Sequence, residues 1–204
     1  MTYTAGVKVV DGSNEWPYLI LISDSCSFVG NFLRVPRSEQ KLLWVGDAVI
    51  GVSQSGNVGG YIRAIVENLL ESQKETTVMG VVDTISRSLT RTNLGRANVA
   101  LIVGGLQDGE LKLFGISYNP IDNIVVNEGD KFFFGSGSVP VTKRLRIYPN
   151  EAPNSNDNLP EGLRKMFSLA ELASSDPYVD PNYSYALVTP DCGSSVLYPP
   201  CTIV

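Results

Sequence analysis

Directly behind the first methionine stands a threonine, in "MTYTAGVKVV". Removal of Met1 would leave Thr2 with a free α-amine beside its own hydroxyl, a nucleophile and a base on one residue. Second-position threonines usually do nothing, so the rest of the sequence has to decide. The chain contains no histidine. That excludes Ser-His-Asp and Cys-His mechanisms and zinc sites that rely on imidazole. Cys26, Cys192 and Cys201 are too few and too scattered for an all-cysteine zinc site or a disulfide framework. Hydrolytic chemistry would need another base. An α-amine, with an ordinary pKa of about 7.7–8.0, accepts a proton near working pH with little tuning.

Other polar residues are ambiguous when taken singly. Asp24, in "LISDSCS", reads as an aspartate that ends a strand and caps a turn. Lys41, in "EQKLLWVG", reads as a solvated lysine at a strand start. "GGLQDGE" and "FGSGSVP" are glycine-rich, but neither has the spacing of a P-loop or of a dinucleotide-binding turn.

The elements that must position these residues follow from periodicity. Residues 2–10 and 18–23 read as strands joined by the turn-rich "DGSNEWP". Residues 41–45 and 48–54 form a hairpin turning at Gly46-Asp47. "GYIRAIVENLLESQ" sets Ile62, Ile65, Val66, Leu69 and Leu70 on one helical face, and "TVMGVVDTISRSLTRT" reads as a second helix. "NVALIVGGLQDGELKLFGISYNP" is a hairpin whose first strand is apolar enough for burial on both faces. "DKFFFGSGS" is a strand running into a turn, residues 149–160 a polar loop, "EGLRKMFSLAELASS" a third helix and "YSYALVT" an inner strand. The tail after it reads as an edge strand or a disordered end. Helices inserted in pairs between antiparallel strand runs predict a layered α+β fold, not a doubly wound parallel sheet.

Composition bounds the class. With 204 residues, 43% of them hydrophobic and 18% charged, the chain suits one domain over residues 1–204 with a sizeable core. A net charge of −5 without a basic run argues against nucleic acid or an anionic membrane as partner. No apolar run approaches the ~20 residues of a membrane span. The N-terminus lacks a signal-peptide layout, and cysteine usage fits a reduced, cytoplasmic setting.

In combination these segments resemble the proteasome β-type N-terminal-nucleophile hydrolases, including their bacterial homologues. "TYTAGV", "LILISDSCSFVG", "KLLWVGDAVIGVSQSGNVGG", "VALIVGGLQDGELKLFGIS" and "FFFGSGS" occur in that family's order at compatible distances, and the resemblance runs from residue 2 to about residue 189. It implies a four-layer αββα sandwich, with two antiparallel sheets between helix layers. It implies Thr2 as nucleophile, its α-amine as general base, Lys41 beside the hydroxyl and Asp24 holding that lysine. The Gly56 N–H would form the oxyanion hole, and Ser136 would bond near the amine. The family's second aspartate falls at Asp176 by counting back from "YALVT", with Asp180 and Ser184 as the displaced alternative. Ser27, Gln54 and Val58 would line the substrate pocket. Cys26 replaces the basic residue usual two positions past the first aspartate, one extra residue lies between Lys41 and Gly56, and Pro140 is expected to interrupt the helix after "GSGS".

The implied activity is a threonine peptidase or amidase without cofactor or metal. It would act on peptides or unfolded protein from within a homo-oligomeric ring; the sequence does not identify an ATPase partner. The alternative is a non-catalytic subunit of the same fold in which Met1 is retained and the amine is tied up as an amide.

Overall fold

A computed structural model describes residues 3–10, 17–25, 27–29, 33–35, 41–54, 61–62, 64–65, 67–68, 77–92, 98–119, 123–190 and 196–202. The first strands are β1 (Tyr3–Val9), β2 (Tyr18–Asp24), β3 (Ser27–Val29), β4 (Leu33–Val35), β5 (Leu42–Val45) and β6 (Ala48–Gln54). Residues 61–62, 64–65 and 67–68 are helical. There follow helix α1 (Val78–Arg91), β7 (Val99–Gln107), β8 (Glu110–Asn119), β9 (Asn123–Glu128) and β10 (Lys131–Gly135). Helices α2 (Ser138–Ile147) and α3 (Leu159–Ala173) precede β11 (Asn182–Val188) and β12 (Val196–Thr202).

Two five-stranded sheets carry the architecture, in the orders β10-β1-β2-β11-β12 and β5-β6-β7-β8-β9. Their pairings are antiparallel. The fold is therefore α+β, as the element order predicted. Strand alternation explains how each face is used. In β2 every residue is buried. Leu19 and Leu21 pack with Leu42, Val49, Ile102 and Leu113 of the other sheet. Tyr18, Ile20 and Ile22 point the opposite way, into a cluster with Met166, Leu169, Ala170 and Ala173 of α3. The far face of the second sheet packs Ile50, Leu101, Val103 and Ile116 against Val78, Val81, Val82, Ile85 and Leu89 of α1.

The sheets approach most closely where they carry no side chain. A Cβ on Gly6 would lie 2.8 Å from Ile102 Cγ2, and one on Gly51 would lie 2.7 Å from Thr4 Cγ2. Glycine at both positions lets β1 settle against β6 and β7.

Both long helices after the hairpins have side-chain caps. Thr77 Oγ1 accepts the Gly80 N–H at the start of α1, and Asn158 Oδ1 accepts the Glu161 N–H at the start of α3. Pro140 does not break α2, contrary to the sequence expectation. It is the third residue of that helix, behind the Gly137 N-cap, where a missing N–H removes no intrahelical bond. The tail forms edge strand β12 on β11. Strand β9 and the short β3–β4 hairpin were not foreseen. Among the described residues, no helix is long and apolar enough to cross a membrane.

Candidate functional site

The ends of β1 and β2 and the start of β5 meet around one carboxylate. Asp24, the last residue of β2, is 1% exposed, and Lys41, immediately before β5, is 5% exposed. Lys41 Nζ donates to Asp24 Oδ1 at 2.9 Å. The same oxygen accepts the backbone N–H of Tyr3 at 3.0 Å, and Asp24 Oδ2 accepts the Asp180 N–H at 3.4 Å. One buried carboxylate thus ties the start of β1, the lysine and the segment before β11.

Neither side chain follows its single-residue reading as a turn cap or a solvated lysine. Burial of an ion pair is costly, and it persists where further hydrogen bonds satisfy the charges. The backbone supplies those bonds to Asp24.

Polar contacts within and between the sheets fix the frame around this pair. The Val52 N–H donates to the Lys41 carbonyl at 3.0 Å. The Val52 carbonyl accepts from Thr4 Oγ1 at 3.2 Å, and Thr4 Oγ1 shares a 2.8 Å hydrogen bond with Ser23 Oγ. Ser23 Oγ also donates to the Tyr3 carbonyl at 3.3 Å. A single residue of β6 therefore couples the lysine-bearing segment to β1.

The two aspartates left open by the sequence are in different surroundings. Asp176 follows α3, where its carboxylate accepts the Tyr178 N–H at 2.8 Å and its carbonyl the Val179 N–H at 3.0 Å. It shapes a turn. Asp180 is 1% exposed and touches Asp24 through its backbone.

Asp180 Oδ1 accepts both the backbone N–H, at 2.9 Å, and the side-chain amide of Asn182. The Asn182 carbonyl in turn accepts the Ser25 N–H at 3.1 Å and Ser25 Oγ at 3.3 Å. Asn182 and Ser25 were missed by the sequence reading. The turn-prone "DPN" at residues 180–182 was the available signal. Ser184 is buried, with Ser23 as its register partner on β2.

Ser136 follows Gly135, which is the register partner of Tyr3. Its Oγ is buried and has no hydrogen-bond partner among the described residues. The backbone of Ser27 lies in β3 and that of Gln54 ends β6. Their side chains fall outside what the structure describes, as do Thr2, Gly56 and Val58.

Two tyrosines back the site from the helix side. The Tyr3 and Tyr183 rings meet edge to face at 6.3 Å. Burial holds the Tyr3 phenol well above its usual pKa, with the neighbouring Tyr183 adding to the shift. Burial likewise raises Tyr183, whose hydroxyl donates to the Ala170 carbonyl at 2.7 Å.

No family model and no curated protein matches this chain. The site therefore rests on its own geometry. A buried ammonium held by a carboxylate, itself bound to the N–H of the third residue, is a fixed positive charge near the beginning of the chain. Such a charge stabilises an anion that develops beside it. Among the described residues, no cluster of three or more acidic, cysteine or histidine side chains is placed to hold a metal.

Proposed function

We propose that this chain is an N-terminal threonine hydrolase of the proteasome β type, acting on peptide bonds. One observation carries the reading: the buried Asp24–Lys41 pair hydrogen-bonds the backbone N–H of Tyr3, the residue after Thr2. Once Met1 is removed, the Thr2 hydroxyl attacks the substrate carbonyl and its proton passes to the α-amine. The Lys41 charge favours the alkoxide, and the Gly56 N–H receives the oxyanion. The departing amine takes the proton back, leaving an ester on Thr2. Water then adds to that ester, and the acid is released with the hydroxyl restored.

We assign the second carboxylate to Asp180 in place of Asp176, because it is the one in contact with Asp24. Ser136, given the role near the Thr2 amine, follows the register partner of Tyr3 on β10 and has a buried Oγ. The fold proposed with this activity is the four-layer αββα sandwich. Its support is a core cluster between the sheets and one on each outer face. Assembly into a ring and a cytoplasmic setting belong to the same proposal. Gln54 in the pocket would favour small or polar uncharged side chains before the cleaved bond.

Replacing Thr2 by Ala tests the chemistry. Peptide hydrolysis and labelling by threonine-directed electrophiles should both vanish while the melting temperature stays unchanged, and the intact mass of the wild type should show Met1 lost. Turnover by Thr2→Ala at the wild-type rate would sink the mechanism. A wild type that retains Met1 and takes no label would instead identify the non-catalytic subunit.

A further inference from the structure

Strand β9 ends the second sheet, and its outer edge is open among the described residues. Val125 and Val126 are 38% and 39% exposed, among the large apolar side chains left most accessible. Protective edge strands usually carry a lysine, a proline or a bulge. The segment Asn123–Glu128, "NIVVNE", has none of these, and its register with β8 runs unshifted from Asn123 to Glu128, with Asn123 alone turned into the left-handed region at φ 60°.

The direction of its backbone groups can be worked out. The Gly129 N–H donates to the Leu113 carbonyl on β8, and Leu113 is the next register partner beyond Phe114↔Glu128. Alternation then turns the N–H and C=O groups of Val125 and Asn127 toward β8. Those of Ile124, Val126 and Glu128 point away from the sheet, toward whatever lies at the edge.

We propose that β9 pairs with β9 of a second copy of this chain, antiparallel about a two-fold axis through Val125, so that two sheets join into one. The sequence supports this register. Residues 123–127, "NIVVN", read as the same classes in either direction from Val125. The axis sets Val125 opposite Val125 of the partner subunit, Ile124 opposite Val126 of the partner subunit, and Asn123 opposite Asn127 of the partner subunit. Over residues 123–127 apolar therefore meets apolar and amide meets amide; one step beyond, the register brings Glu128 opposite Asp122 of the partner subunit, a like-charge pair with Lys112 beside Glu128. Ile124 and Val126 are also the residues whose backbone groups point outward, so the two symmetric Ile124–Val126 pairs each exchange both backbone bonds. Glu128, the charged residue of β9, lies outside the palindrome, 3.8 Å from Lys112 of its own chain. An isologous contact of this kind closes on itself. It is independent of the hydrolase reading.

Val125 sits at the axis in a non-hydrogen-bonded pair, where Cα atoms approach to about 4.5 Å. That lies within the range of roughly 4.4–6.8 Å that a disulfide spans. Under mild oxidation the full-length Val125→Cys protein should cross-link to a dimer, with peptide mass mapping showing the substituted position joined to itself. Asn127→Cys, displaced along the strand from its own mate, should not self-link. Val125→Lys puts two like charges on the axis, and it should shift sedimentation of the uncross-linked protein toward the half-size species with an unchanged circular dichroism spectrum. Absence of the Val125 link, or equal linking at Asn127, would overturn the proposal. So would a sedimentation profile of Val125→Lys identical to that of the wild type.

Discussion

Asp24 and Lys41 show why single residues mislead and pairs do not. Each has an ordinary surface explanation in the sequence, and only their order along the chain and the resemblance linked them. In the structure neither is at the surface. The energetic consequence is asymmetric. Lys41→Met leaves the Asp24 carboxylate buried without its ammonium, and Asp24→Asn leaves the lysine charge buried without its carboxylate. Breaking a buried pair from one side costs about 3–5 kcal/mol, whereas replacing both partners costs much less. Urea unfolding of both single variants and of Asp24→Asn/Lys41→Met should therefore show the double variant less destabilised than the sum of the two. Strict additivity would mean that the two charges do not interact. The Asn182 clasp on Asp180 could not be read from composition, because it depends on a turn whose length the sequence does not display.

At the scale of elements, α3 meets β2 at one tight point. A Cβ on Gly162 would lie 2.1 Å from the Tyr18 hydroxyl oxygen and 2.6 Å from its Cζ. Tyr18 is fully buried, and its hydroxyl donates to the Asp157 carbonyl at 3.2 Å and the Asn158 carbonyl at 3.4 Å. The ring cannot swing aside cheaply. In an exposed helix, Gly→Ala stabilises by up to about 1 kcal/mol. Here the overpacking penalty of about 1–3 kcal/mol should outweigh that gain, so Gly162→Ala should lower the thermal midpoint. Tyr18→Phe removes the closest atom and should relieve part of the loss in the double variant. A Gly162→Ala protein as stable as the wild type would show that α3 shifts freely on the sheet.

The elements most legible in the sequence were those with strong turns or long apolar periods, such as the hairpin at Gly46-Asp47 and the helix over residues 78–91. Strand β9 was missed because neither face alternates. Its three apolar residues sit between polar ends, and most of the strand is exposed. The α2 start was misjudged because proline was weighed as a breaker without regard to position. In the first turn it breaks nothing.

For the whole molecule, the two outer clusters differ in one chemical respect. The cluster under α3 contains Tyr3, Tyr18 and Tyr183, whereas none of the buried residues in the cluster under α1 carries a phenol. Burial is the first cause of a raised pKa in all three, and Tyr18 is pushed up from 10.0 to about 12, with Asp157 and Glu161 contributing next. The folded pKa lies above the unfolded one, so the neutral phenol is the form that folding favours. Below pH 10.0 both states hold the proton, and this part of the stability is fully present. As pH rises from 10.0 toward about 12, the unfolded chain loses protons that the folded chain keeps. Stability then falls, by up to about 1.4 kcal/mol per pH unit for each proton so retained. Other groups titrate in the same window, Lys131 among them with its pKa lowered chiefly by burial, so the total slope does not isolate the tyrosines. The difference between wild type and Tyr18→Phe does. Wild type should hold its full hydroxyl-bond advantage below pH 10.0, and that advantage should shrink steadily as the pH rises toward about 12. Urea midpoints of the two proteins measured across this window decide the matter. A constant gap would mean that Tyr18 ionises alike in the folded and unfolded chains, and that the packing of β2 under α3 does not control its proton.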